Sequence, residues 1–317
     1  MIPTLEVARQ QGEEVFALEE RAALAVSRDL MADADLAMQD VSRAWVATFG
    51  NLEAEAVGGE GLLLLIAEAE AAVEAALADG SVEQQELRSV LQEAGLLGQM
   101  QAREILGEGE VVAALTELGV IDSVPGVMDA RLNDARNLLV PALVLMLGFV
   151  AIQTAVAQVR RAGHDLAAMT RWGVNRAAAD GVTRVASSVA AGRIWVPERD
   201  ACLHCTAYAG EKVGPQGEFP VGLTYADRPL TWAQELPNPP LHPNCRCRVL
   251  PWIEEWEGQV DLPGALEREA QRTVLKGWAL GSEASKVRAA DRLLARGADM
   301  PQRVIDQARR AVRRGGF

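Results

Sequence analysis

The chain has 317 residues, 49% hydrophobic and 24% charged, which excludes wholesale disorder and leaves room for about two domains at the usual ~100–200 residues each. Its formal net charge of −13 is lopsided: residues 1–125 carry 24 acidic side chains against 6 arginines, whereas residues 265–317 carry 12 basic against 6 acidic. Such a chain has either an acidic half and a basic tail with different partners, or simply two solvated helix surfaces.

The opening MIPTLEVARQQGEE lacks a basic stretch followed by an apolar core, so no secretory signal is expected. The four cysteines are therefore expected in a reducing compartment, where metal binding is favoured over disulfides. Apolar residues recur at helical spacing from Glu14 to Leu36. Gly58, Gly59 and Gly61 interrupt the pattern, and Leu62 to Leu77 resumes it as an Ala/Glu-rich helix. Asp79-Gly80-Ser81 reads as a turn, with Ser81 as the N-cap of a helix starting at Val82. Short helices separated at Gly95, Gly107, Gly109 and Gly119 are expected next, with a boundary at Asp122–Gly126.

Leu138 to Ala157 is uncharged over its whole length. It is read first as a central core helix, then as an oligomer interface, and last as a membrane-active segment, because Pro141, Gln153, Thr154 and the alanines weaken a membrane span. Ala162 to Ala191 continues helical, and Arg193 to Val196 reads as a short strand. Residues 197–251 hold nine of the fourteen prolines, which favours turns and short strands. Helices are expected again over Glu267–Leu280 and Ser282–Ala295, with a last one from Met300-Pro301 that ends in RRAVRRGGF.

All four cysteines and two of the three histidines lie between Cys202 and Cys247. Cys202 and Cys205 form a CxxC pair, and His242-Pro-Asn-Cys245-Arg-Cys247 supplies a second group at the same spacing. Two chelating pairs suit a tetrahedral Zn²⁺ with thiolate and imidazole ligands at ~2.0–2.3 Å. The expected ligands are Cys202, Cys205, His242 and Cys245, with Cys247 able to replace one of the second pair. His204 is expected to point away. Four protein ligands leave no place for a reactive water, so the zinc is expected to be structural and the chain not an enzyme. Free thiols or a disulfide are the other readings, and a redox CxxC lacks its βαβ context. A zinc-dependent nuclease or deaminase would need an open metal position and a base, for which Asp200 and Glu211 are nearest in sequence. Phosphate-binding loops, dinucleotide fingerprints, HExxH and GxSxG are absent.

The stretch RIWVPERDACLHCTAYAGEKV, then GEFPVG, then PPLHPNCRCRVLPW resembles the phage Mu F-like minor head proteins, the head-morphogenesis family of tailed bacteriophages. Trp195 ahead of Arg199-Asp200-x-Cys202-x-x-Cys205, Gly210 with Phe219-Pro220, and His242–Cys247 followed by Pro251 carry the resemblance, which covers roughly residues 165–255. It implies a virion component made in the host cytoplasm and placed at the portal vertex or head interior. The implied partners are the portal or major capsid protein, and a homo-oligomer is another. Packaged DNA is a further expected partner, through Arg303, Arg309, Arg310, Arg313 and Arg314. A membrane-active ejection protein using Leu138–Ala157 is the other alternative.

The expected fold class is mainly α with a small α+β zinc-binding module. The expected order is an acidic helical region (1–125), apolar central helices (126–192), a zinc-ribbon-like module (193–255) and a basic helical tail (256–317).

Overall fold

The computed structural model describes residues 2–55, 58–78, 80–107, 119–228, 236–242 and 245–317. The expected break at Gly109, Asp79 of the turn, and Pro243 and Asn244 of the second ligand group lie outside the described residues. Among the described residues the chain is mainly helical, 69% helix, with one small sheet, as expected. Its helices are α1 (Leu5–Phe49), α2 (Glu60–Leu77), α3 (Ser81–Leu106), α4 (Val124–Leu138), α5 (Pro141–Leu147), α6 (Phe149–Ser188), α7 (Leu262–Leu275), α8 (Glu283–Ala295) and α9 (Gln302–Arg314). The strands are β1 (Gly192–Val196), β2 (Lys212–Val213) and β3 (Arg248–Trp252).

By compactness the chain forms two units. Unit 1 comprises Met1–Glu19, Leu91–Thr116 and Trp172–Phe317, and unit 2 comprises Glu20–Val90 and Glu117–Arg171. Among the described residues unit 2 holds helices and their connections and no strand. Its α1 segment buries Val26, Leu30, Val41 and Trp45, and α2 buries Leu62, Leu65, Ile66, Val73 and Leu77. Arginines stitch its acidic surface: Arg131 to Asp165, Arg136 to Glu70 and Glu74, Arg160 to Asp35, and Arg171 to Glu20. Exposed pairs of this kind contribute little each, about 0–1 kcal/mol.

The structure corrects several boundaries. The first helix runs well beyond Glu14–Leu36 at both ends, because nothing in Leu5–Phe49 breaks a helix once tertiary packing stabilises the buried stripe. The second starts at Glu60 and contains Gly61, and the third starts at Ser81 itself. Gly95 does not separate short helices. It and Gly98 lie inside the single helix α3, where they let α6 approach. A Cβ on Gly98 would stand 2.0 Å from the Ala178 carbonyl oxygen, and one on Gly181 would stand 2.2 Å from that of Gly95. Here glycine is a contact residue and its helix-breaking tendency of about 1 kcal/mol is overridden. The α7 helix spans Leu262–Leu275, earlier than the expected Glu267–Leu280, with Pro263 in its first turn, where proline is favoured.

The uncharged run Leu138–Ala157 is not one helix. It closes α4, forms α5, and opens α6 after Gly148, whose φ of 60° is a left-handed conformation that suits glycine. Among the described residues no single helix is long and apolar enough to cross a membrane. Only α5 and α6 pass together, as a pair bent by 117°.

Unit 1 holds the sheet, ordered β2-β1-β3 and antiparallel throughout, with Arg193 opposite Val213 and Val196 opposite Arg248. Alternation along β1 and β3 sorts the side chains by face. Trp195 and Val249 enter one cluster with Tyr208, Phe219 and the cysteines. Ile194, Val196, Leu250 and Trp252 enter another with Ala8 of α1 and Leu262 and Leu266 of α7. A third cluster joins α7, α8 and α9 through Val274, Leu275, Ala289, Leu293, Val304 and Ala308.

Candidate metal centre

Two turns build the centre. After β1 the chain makes a knuckle at Cys202–Cys205 that runs into a short 3₁₀ turn, Cys205–Tyr208. The Cys205 backbone N–H donates to Cys202 Sγ at 3.5 Å, and Thr206 donates to the Cys202 carbonyl through both its N–H and its hydroxyl, each at 3.0 Å. The second turn precedes β3. Cys245 and Cys247 are two apart, as are Cys247 and Val249, so all three share the face that meets Trp195. Both thiols thus stand on the metal side, while Arg248 and Leu250 point the other way.

The ligand atoms converge. His242 Nε2 stands 3.0 Å from Cys202 Sγ and 3.2 Å from Cys205 Sγ, and Cys205 Sγ stands 3.4 Å from Cys245 Sγ. The atoms of Cys202, Cys205 and His242 all lie within 4.8 Å of one another, as do those of Cys205, Cys245 and Cys247. Edges of a tetrahedron with ~2.0–2.3 Å bonds measure about 3.3–3.8 Å. The Cys205–Cys245 separation falls in that range and the two to His242 are a few tenths of an ångström shorter, so a small outward shift of the imidazole would seat the ligands around one small ion. A buried Cys/His cluster that can hold a metal ion is therefore present, and Cys205 belongs to both halves. It brings together all five sequence-predicted residues.

Protonation is shared within the cluster. The Cys202 thiol is pulled down to about 4, first by its hydrogen bond with Cys205, with His242 helping and burial opposing. Cys205 is pushed up by its hydrogen bonds with Cys202, Cys245 and Cys247 and by burial. Burial works against ionisation of Cys245 too, but hydrogen bonds with Cys205 and Cys247 outweigh it and lower its pKa. Burial comes first in raising Cys247. Thiolates and thiols held this close repel or share protons until a cation takes the protons' place. In metal-stripped protein at pH 6, Cys202, the half-exposed one, is expected to be alkylated by iodoacetamide first. Peptide mapping that finds Cys205 or Cys247 labelled earlier contradicts this assignment.

His204 turns away as expected: burial lowers its pKa, and its Nδ1 bonds the Thr224 hydroxyl at 2.9 Å. Asp200 pairs with Arg246 at the surface. Glu211 is joined to β1 through its backbone, whose carbonyl accepts from the Trp195 N–H at 2.8 Å. Among the described residues, the groups able to hold a metal contain no carboxylate.

Three features around the centre carry no sequence motif. Leu203, inside CxxC, is buried in the α7–α9 cluster, and its N–H donates to the Leu280 carbonyl at 3.3 Å. The knuckle is thus a plug for the C-terminal helices. Leu203→Ala is expected to cost about 3 kcal/mol, as large-to-small core changes do, and to expose α8 and α9 to hydrogen exchange ahead of the sheet. Arg248 is buried between Glu198 and the Ala8 carbonyl, and a Cβ on Gly12 would stand 1.8 Å from its Nη1. Asn175 reaches both Glu19 and, at 3.4 Å, the Cys245 carbonyl. A buried arginine facing a glycine 236 positions away leaves no local pattern to read.

No family model matches this chain, and neither does any curated protein or solved structure.

Proposed function

We propose that this chain is a minor head protein of a tailed bacteriophage, non-enzymatic, with one structural zinc tying its β module to its helices. One observation carries the reading: the residues that resemble the Mu F-like proteins are the residues that build the cluster. Trp195 packs against Tyr208, with ring centroids 4.7 Å apart, and edge-on to Phe219 at 5.0 Å, beside the cysteines. Gly210 has a φ of 78°, and a Cβ there would stand 2.6 Å from the Pro263 carbonyl oxygen. The motif thus behaves as a folding unit and not as a set of unrelated positions.

Zinc suits a donor set of thiols and one imidazole, and Cys202, Cys205, Cys245 and His242 would fill its four positions. Cys247 is the alternative fourth ligand. A filled tetrahedron supports a structural site over a catalytic one. The exposed arginines of α9, Arg303, Arg309, Arg310, Arg313 and Arg314, give DNA phosphates or an acidic capsid surface a place to bind. Portal or major capsid protein would be the assembly partner.

The test is co-purification. The chain is expected in purified heads, to be pulled down with portal protein when the two are co-expressed, and to hold one zinc per chain. Heads that lack it, with no portal association, overturn the reading. Zinc analysis then stands as a separate result.

A further inference from the structure

Two apolar patches of opposite rim charge lie on this chain. The first is in unit 2, where Ala54 O approaches Gly148, Gly58 lies against Leu145, and Trp45 packs on Phe149 at 5.4 Å between ring centroids. These contacts gather the end of α1, the loop after it, α5 and the start of α6. Leu145, Met146, Leu147 and Val150 project outward there, with Met146 73% exposed. The loop supplies Glu53 and Glu55, and Glu60 opens α2. Unit 2 as a whole carries 19 acidic against 9 basic side chains.

The second patch is in unit 1. Trp278 is 55% and Leu280 58% exposed, and Phe317 lies over Gly277. Lys276 caps the Trp278 ring at 4.2 Å, and desolvation first, then the neighbouring positive charges of Arg272 and Arg303, lowers its pKa. Monomeric proteins rarely leave several large apolar side chains exposed together without a use.

We propose that copies of this chain associate head to tail, the patch around Met146 receiving Trp278, Leu280 and Phe317 of the next copy. Charge selects this occupant. An α5-on-α5 contact sets Glu53, Glu55 and Glu60 against themselves, and an anionic bilayer meets the same repulsion. The second patch has a net basic rim, Lys276, Arg272 and Arg303 against Glu283, which accepts from the Phe317 N–H and pairs with Lys286, so it supplies both the apolar surface and the opposite sign. A contact between two different surfaces is heterologous and builds rings or open arrays according to the rotation between copies. It uses none of the metal ligands, so it stands or falls apart from the head-protein reading.

Sedimentation velocity on the full chain with its metal tests this, with Met146→Glu and Trp278→Glu as variants at exposed positions. Wild type is expected to gain mass with concentration. Each variant is expected to associate at least about tenfold more weakly, with unchanged circular dichroism and metal content. A mixture of the two variants retains one intact contact and is expected to form one-to-one dimers and nothing larger. Four results overturn the proposal: a wild type monomeric at the highest concentration, loss of association in Met146→Glu but not in Trp278→Glu, a mixture that stays monomeric, or flotation of wild type with anionic vesicles.

Discussion

Cys205→Ser is expected to empty the metal centre and release the β module from the rest of unit 1. Cys205 is the one ligand candidate common to both halves of the cluster, buried at 1% exposure, with all four other donors within 4.8 Å of its Sγ and His242 and Cys245 at 3.2 and 3.4 Å. Metal content is expected to fall from about one per chain to under about a tenth. Structural zinc contributes folding energy directly, ~10–16 kcal/mol in small zinc peptides, so its loss removes several kcal/mol here. The consequence should travel along the knuckle: Leu203 loses its support, and α8 and α9 follow. Limited proteolysis is expected to cut first between Gly210 and Asn238, and Cys202→Ser should give the same fragments. X-ray absorption at the zinc edge of the parent is expected to show a mixed sulfur–nitrogen shell, and an all-sulfur shell assigns the fourth position to Cys247 in place of His242. A Cys205→Ser chain that keeps its metal and resists protease shows that the centre is not what holds the module.

Gly98→Ala and Gly181→Ala are expected to be nearly as damaging without touching the metal. The atoms that a methyl group would meet are backbone carbonyls, of Ala178 and of Gly95, at 2.0 and 2.2 Å, and neither can rotate away. The helices must separate along the crossing, which strips contacts on both sides. Overpacking of this kind costs typically about 1–3 kcal/mol and more where nothing flexible can yield, so about 3 kcal/mol is expected for each. In a unit of this size that lowers Tm by roughly 10 °C. Both substitutions obstruct one crossing, so the double variant should cost less than the sum. Gly126→Ala, in a helix and facing open space, is the control and is expected to be neutral or mildly stabilising. A loss under about 1 kcal/mol for Gly98→Ala in thermal unfolding places α3 and α6 further apart than described.

The sequence by itself determined the mainly helical fold class and the five Cys and His residues that cluster. These are short-range properties: spacing of two or three residues decides whether thiols share a turn or a face, and proline density decides where helices stop. Helix limits were less legible. Gly95 looks like a break because intrinsic propensity is local, yet packing against α6 outweighs it. The uncharged run Leu138–Ala157 hid a sharp bend, since hydropathy averages over Pro141 and Gly148 where backbone geometry does not. Only the tertiary structure decided that Leu203 plugs the C-terminal helices, that Arg248 lies against Gly12, and that Met146 and Trp278 remain uncovered. Each depends on which distant surfaces meet, and burial at long range leaves no period in a single chain for a reader to find.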